Sequence, residues 1–171
     1  MLHRISGLVL LMLMIVGIGA CSSTRIDRQN PLLRKAPASQ LAQVYFIRPR
    51  TERSMGVADN RLSVEADRHH LLDIAKGEYV LLSMLPGNVW ITVNSQTAWG
   101  PQAKIKKMTR SRQFRLVSGR TYFIVFSMVD GEFRGVYFKP QSVDLTTAKD
   151  LTRFMRAVGA ARRLPITALE G

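Results

Sequence analysis

A chain of 171 residues with 46% hydrophobic side chains is long enough for one domain with a real core, and a second domain is not expected. Its one cysteine excludes an internal disulfide, so stability must come from apolar packing and backbone hydrogen bonds. A net charge of +13 points to anionic partners and disfavours basic ones.

The chain opens on His3 and Arg4, continues with an apolar run from Leu8 to Ala20, and reaches its cysteine through Ile18-Gly19-Ala20-Cys21. The run is shorter than the roughly 20 residues that span a bilayer core, and has the length of a signal h-region. The last four residues resemble the lipobox of bacterial lipoproteins. That resemblance implies diacylglyceryl transfer to the Cys21 thiol, cleavage before it, and acylation of the new amino terminus; a cleaved secretory signal or an uncleaved anchor is the alternative. Residues 1–20 are thus expected to be removed. Ser22 after the cysteine resembles cargo sent to the outer membrane, facing the periplasm, with the inner membrane as the alternative. Export argues against nucleic acid as the anionic partner and leaves lipid phosphates, glycolipids and cell-wall carboxylates.

Residues 21–42 form a lipidated, polar and basic stretch interrupted by Pro31 and Pro37, expected to be a flexible tether of roughly 25 Å root-mean-square reach. The β-rich domain is expected over 43–163. Gln43 to Arg48 is its first strand, stopped by Pro49. Arg61 to Asp67 alternates, with Leu62, Val64 and Ala66 on one face, which marks a half-buried strand. Short strands follow at Leu71 to Ala75, Tyr79 to Leu85 and Val89 to Asn94, separated by Lys76-Gly77 and Pro86-Gly87 turns. Gln113 to Val117 leads through Ser118-Gly119 to Thr121–Met128, the most apolar strand and the expected sheet centre. Asp130-Gly131 resembles a tight hairpin turn into Phe133–Phe138.

The end of the domain is expected to be helical. Thr147 has a capping position with Asp150 three residues on, and Leu151, Phe154, Met155 and Val158 share one helical face. Arg162, Arg163 and Pro165 close it, or Gly159 sooner. The stripe reads as packing against the sheet, with a membrane-active face as the alternative. Residues 164–171 are left as a tail. The expected fold is mainly β: a small antiparallel β-sandwich or partly open barrel with one C-terminal α-helix.

Three landmarks recur in order: Ala42-Gln43-Val44-Tyr45-Phe46-Ile47-Arg48-Pro49, then Gly77-Glu78-Tyr79 leading to Leu85-Pro86-Gly87, then Ser118-Gly119-Arg120-Thr121-Tyr122-Phe123. Together they resemble the bacterial lipoprotein family known as domain of unknown function 2846, over about Leu41 to Phe138. The resemblance implies a small β-rich envelope domain and brings no activity with it. The chain departs from the family pattern at Asp67-Arg68, where members tend to have Asp-Gly, and in the basic segment before Phe114.

That segment is the candidate binding surface. Lys104, Lys106, Lys107, Arg110, Arg112, Arg115 and Arg120 occur without an intervening acid, and each cation near an anionic leaflet contributes on the order of 1 kcal/mol. Trp99, in the neighbouring loop, could sit at an interface or stack on a sugar. A solvated strand face with Trp99 folded over the core is the bland alternative. As a strand, the segment would carry positive charge on both faces, which suits an exposed edge. His69 and His70, with Asp67 and Asp73 nearby, read as a turn or surface pair rather than metal ligands, since neighbouring strand residues point oppositely. No Gly-x-Ser-x-Gly elbow, phosphate loop, dinucleotide glycine pattern or carboxylate pair stands out. A non-catalytic domain without metal or cofactor is therefore expected, binding an envelope protein or an anionic envelope polymer; a hydrolase is the lesser alternative.

Overall fold

The structure is a computed structural model that describes residues 24–33, 36–50, 61–100, 102–131 and 135–170. The leader, Cys21 and Ser22, together with Phe133 and the Trp99 side chain, lie outside the described residues. In chain order the elements are β1 (Arg25–Ile26), β2 (Ala42–Arg48), β3 (Leu62–Ala66), β4 (His69–Ile74), β5 (Glu78–Met84), β6 (Gly87–Trp99), β7 (Lys104–Leu116), β8 (Thr121–Asp130), β9 (Val136–Val143), α1 (Leu145–Thr152) and β10 (Arg156–Gly159). Among the described residues, no helix is long and apolar enough to cross a membrane.

Two five-stranded sheets face each other, in the orders β1-β4-β3-β6-β7 and β10-β5-β2-β8-β9. This is the expected sandwich. The first sheet is antiparallel throughout, whereas the second is mixed, with β2 parallel to β8 and β10 parallel to β5. Between the sheets lies one apolar core that includes Val44, Phe46, Val64, Leu72, Ile91, Phe114, Ile124 and Phe126.

The second sheet is buried on both faces. Its outer side carries Tyr45, Ile47, Tyr79, Leu81, Phe123 and Val125, covered by Ala148, Ala161 and Ile166 from the C-terminal segment. This is why β2, β5 and β8 read as near-continuous apolar runs while β3 alternates buried and half-buried residues, the signature of a sheet with one solvated face.

Several expectations change at the two ends of the chain. The helix is short and is capped by Asp144, whose carboxylate accepts from the Thr147 backbone amide at 2.7 Å; Thr147 is therefore inside the helix and not its cap. Beyond Thr152 the chain becomes β10 and adds to the free edge of β5. Val158 is buried in that strand, but Phe154 is 79% exposed, so the four-residue stripe is not one packed helical face. The segment expected as a tail also packs: Ile166 is fully buried, and the Tyr45 hydroxyl donates to the Leu164 carbonyl at 2.8 Å.

At the other end, the stretch expected to be a tether lies on the domain from Thr24 onward. Arg25 and Ile26 pair with Asp73 and Leu72. Asn30 is buried and donates through its side chain to the His70 carbonyl at 2.8 Å. Ile26, Leu32 and Leu33 pack against the core beside these contacts, but the buried hydrogen bonds of Asn30 are ones a hydrophobic pattern does not reveal.

The β3–β4 turn is the most constrained. Asp67 and Arg68 have φ of 49° and 69°, the left-handed pair of a type I′ hairpin, where Asn or Asp followed by Gly is favoured. Asp67 holds the turn to β6 by accepting from the Trp90 amide at 2.8 Å and donating to its carbonyl at 3.0 Å.

Candidate binding surface

β7 is the edge strand of the first sheet and pairs with β6 over its whole length, from Gly87↔Leu116 to Trp99↔Lys104. The basic segment is thus an exposed edge, in the position where lysines deter strand addition. The structure extends the strand well beyond the expected Gln113–Val117, and it places the Trp99 backbone in the last rung of β6 instead of in a loop.

Alternation divides the cations between two faces. Leu116, Phe114 and Met108 are buried on the core side, and Arg112, Arg110, Lys106 and Lys104 share that side farther along the edge. Arg110 lies 4.3 Å from the centre of the Tyr137 ring and donates to the Thr109 carbonyl at 2.8 Å. Arg112 lies over Phe114 at 5.7 Å. These two arginines shield the open side of the sandwich, where β7 meets β9, and their aliphatic stems contribute as much as their charge. Lys107 and Arg115 project from the opposite face.

That outer face is a polar ladder. The Asn94 amide donates to Glu65 at 2.7 Å and accepts from the Thr109 hydroxyl at 2.7 Å, and Thr92 and Ser111 hydroxyls bond at 2.8 Å. Lys107, Arg61, Ser63 and Asp73 surround a shallow depression of about 450 Å³. Trp90 is 50% exposed beside Asp67, Arg68 and Ser111. Sequence reasoning placed Trp90 opposite the core residues of its strand but did not single it out; an aromatic on the solvent side of an alternating strand was the available signal.

The register gives the strand pair a projection. Leu62 pairs with Ile74, and Ser63 with both Asp73 and Asn94, so these residues mark one end of the sandwich. The β6–β7 ladder runs on past that level through Gln96↔Lys107, Thr97↔Lys106, Ala98↔Ile105 and Trp99↔Lys104, about 13 Å at the usual strand rise. The β8–β9 hairpin extends beside it. Thr97 Oγ1 accepts from the Val136 amide at 3.1 Å, and Gly135, with φ of 75°, leaves the space that a β-carbon would take from Thr97, 2.6 Å away. Ile105, at the projecting end, is 63% exposed.

At this same end the sandwich holds a buried polar cluster. Glu78 is 2% exposed. One of its carboxylate oxygens accepts from the Thr24 amide and hydroxyl at 2.8 and 2.6 Å, and the other pairs with Arg156. Arg48, opposite Glu78 in the β2–β5 register, donates to the Ile74 carbonyl at 3.0 Å and lies 5.3 Å from the Phe138 ring centre. The cluster clamps the start of β1 and both sheets together; Arg48 and Glu78 fall within the landmarks quoted above, but the sequence marked no member as buried or paired.

His69 and His70 begin β4. His70 is 3.8 Å from Asp73 and 3.5 Å from the Ser63 hydroxyl, and among the described residues no group of three or more His, Cys, Asp or Glu side chains converges on one point. A separate cleft of about 860 Å³ lies where the N-terminal segment crosses β5, with Ile26, Leu33 and Leu82 below Arg28 and Arg163.

Compared with known proteins, the chain matches no family model, no curated protein and no solved structure. The functional reading rests on the residues and their geometry.

Proposed function

We propose that the chain is a bacterial envelope lipoprotein, anchored through acyl chains on Cys21, whose β-sandwich binds an anionic envelope component without catalysis. The observation that carries this reading is the placement of Lys104, Lys106, Lys107, Arg110, Arg112 and Arg115 along one exposed edge strand. Anionic lipid, phosphorylated glycolipid and cell-wall polymer share the chemistry that such an edge recognises. The lipobox-like Ile18-Gly19-Ala20-Cys21 supports the envelope location, with landmarks that resemble the domain of unknown function 2846 family in keeping with it, and Ser22 after the cysteine supports the outer membrane, facing the periplasm.

The deciding measurement is binding of the mature Cys21→Ala chain, made without residues 1–20, to phosphatidylglycerol vesicles, lipopolysaccharide and isolated cell wall across a salt series. Binding to one of them that falls steeply with salt, and that weakens when Lys104, Lys106, Lys107 and Arg110 are changed to Gln, supports the reading. Equal binding of that variant at low salt rejects it. Capture of a single envelope protein at moderate salt would favour the scaffold alternative, in which sheet edges and the exposed Trp90 face engage a protein. For the anchor, wild-type and Cys21→Ala proteins of equal mass and equal membrane fraction would reject lipidation.

A further inference from the structure

We infer that the end of the sandwich holding the Thr24–Glu78 clamp faces the bilayer that carries the anchor, and that the projecting tip of the β6–β7 hairpin touches its anionic headgroups. The inference rests on the lipid-anchoring reading and names the partner of the basic strand as that membrane surface.

Chain length is the first argument. Thr24 is fixed at the end of the domain by the two hydrogen bonds to Glu78 and by a third from the Ala75 amide to its hydroxyl at 3.2 Å. Only Ser22 and Ser23 separate it from Cys21, so a fully extended leash reaches about 11 Å. A domain held this closely cannot stand clear of the membrane, and the face presented to it is the end from which the leash leaves. Backward from Arg25, which pairs with Asp73, the chain runs toward Ile74 and Ala75, the end beyond which the hairpin projects.

The second argument is that two lengths agree. The four rungs of the ladder beyond the Leu62–Ile74 level, which is also the level of Thr24, span about 13 Å, close to the leash. With the lipid in the bilayer, the hairpin tip therefore arrives at the headgroup layer. The tip carries Lys104, Lys106 and Lys107 around exposed Ile105. Cations with a neighbouring apolar side chain fit a surface of lipid phosphates over hydrocarbon. Arg110, Arg112 and Arg115 lie progressively farther up the strand, where screening weakens their pull on the headgroups, so the three lysines nearest the tip contribute most.

Phe154 supplies an independent contact at the same end. It precedes Arg156, which pairs with Glu78, and is 79% exposed with the Arg153 guanidinium 5.3 Å from its ring centre. An aromatic ring with an arginine able to reach back to phosphate is an interfacial pair.

The test uses the full-length lipidated protein reconstituted in vesicles with and without phosphatidylglycerol. Cys21 is blocked by lipid, so Ile105→Cys, Phe154→Cys and Arg68→Cys each provide one thiol for a fluorophore, and nitroxide lipids quench whatever lies at the headgroups. Quenching at 105 and 154, stronger with phosphatidylglycerol, and none at 68 on the opposite end is the expected result. Changing Lys104, Lys106 and Lys107 together to Gln should also lower partition of the unlipidated mature Cys21→Ala chain, made without residues 1–20, into anionic vesicles about a hundredfold, the product of roughly fivefold per cation. An anchored chain whose probe at 105 is quenched no more than that at 68 overturns the orientation alone. A chain that leaves the vesicles with Cys21 intact overturns the anchoring reading and the orientation with it.

Discussion

Thr24 and Glu78 stand 54 residues apart and meet in two hydrogen bonds to a single carboxylate oxygen, at 2.8 Å from the amide and 2.6 Å from the hydroxyl. Glu78 is almost fully buried and shares its other oxygen with Arg156. Arg156 is half exposed, so Glu78→Gln leaves its charge to solvent and mainly weakens the bonds from Thr24, at about 1.5–3 kcal/mol. Thr24→Val loses the hydroxyl bonds to Glu78 and from the Ala75 amide and should cost about 2–3 kcal/mol. Urea titration should show lower midpoints at unchanged slope. A Thr24→Val midpoint equal to wild type would mean that the clamp is dispensable.

The Asp67-Arg68 turn gives the opposite sign. Arg68 adopts a φ of 69°, a conformation that glycine enters without a β-carbon penalty. Arg68→Gly should stabilise the protein by about 0.5–1 kcal/mol after allowance for the freer unfolded chain. The melting temperature should rise by a few degrees; a fall would show that the arginine side chain contributes more than its backbone costs.

Arg110 and Lys107 separate packing from charge. Arg110 stacks on Tyr137, so Arg110→Gln should lower stability by about 0.5–1 kcal/mol. Lys107→Gln, on the solvated face, should change it by less than about 0.5 kcal/mol. The two variants measured side by side by denaturation, with vesicle binding as a second readout, show which loss of binding reflects a lost contact and which a loosened edge.

Tyr45 and Tyr79 lie beneath the C-terminal segment, and burial raises both hydroxyls above the ordinary tyrosine value of 10.0; the neighbouring Tyr79 adds to the effect at Tyr45, and a bond from the Ile166 backbone opposes it at Tyr79. A raised native value means that the unfolded chain loses its protons first. Stability is fully present below the unfolded value and declines as pH climbs through the native one. Tyr45→Phe should lose about 1 kcal/mol with its bond to Leu164 while showing a shallower alkaline decline. Denaturation midpoints from neutral to strongly alkaline pH check both effects.

The central strands were legible because burial writes itself into the chain. Leu62, Val64 and Ala66 alternate as a strand with one wet face must, and the unbroken Phe123-Ile124-Val125-Phe126 run marks a strand covered on both sides. The basic segment was legible as an exposed edge for the same reason. The C-terminal stretch was not. Leu151, Phe154, Met155 and Val158 fit a helical stripe, yet the last of them belongs to a strand that completes the edge of β5. Short apolar spacings fit more than one element, and here the unpaired backbone of a distant strand decided the outcome. Thr24 and Asn30 were missed because their burial rests on hydrogen bonds to residues far along the chain.

The covering of the outer face of the second sheet has a consequence for how the molecule comes into being. Among the described residues, Tyr45, Ile47, Tyr79, Phe123 and Val125 are covered chiefly by residues that follow Asp144, Ala148, Ala161 and Ile166 foremost. A chain made from its amino end has all the strands of that face before anything exists to cover it. Until the last segment arrives, an aromatic surface and the bare edge of β5 stand open to other chains. Pairing of β2 with β8 and of β5 with β10 across long separations slows closure further. The interval before completion is when this protein is most exposed to aggregation and most in need of a chaperone, and a truncation at Asp144 would make that interval permanent.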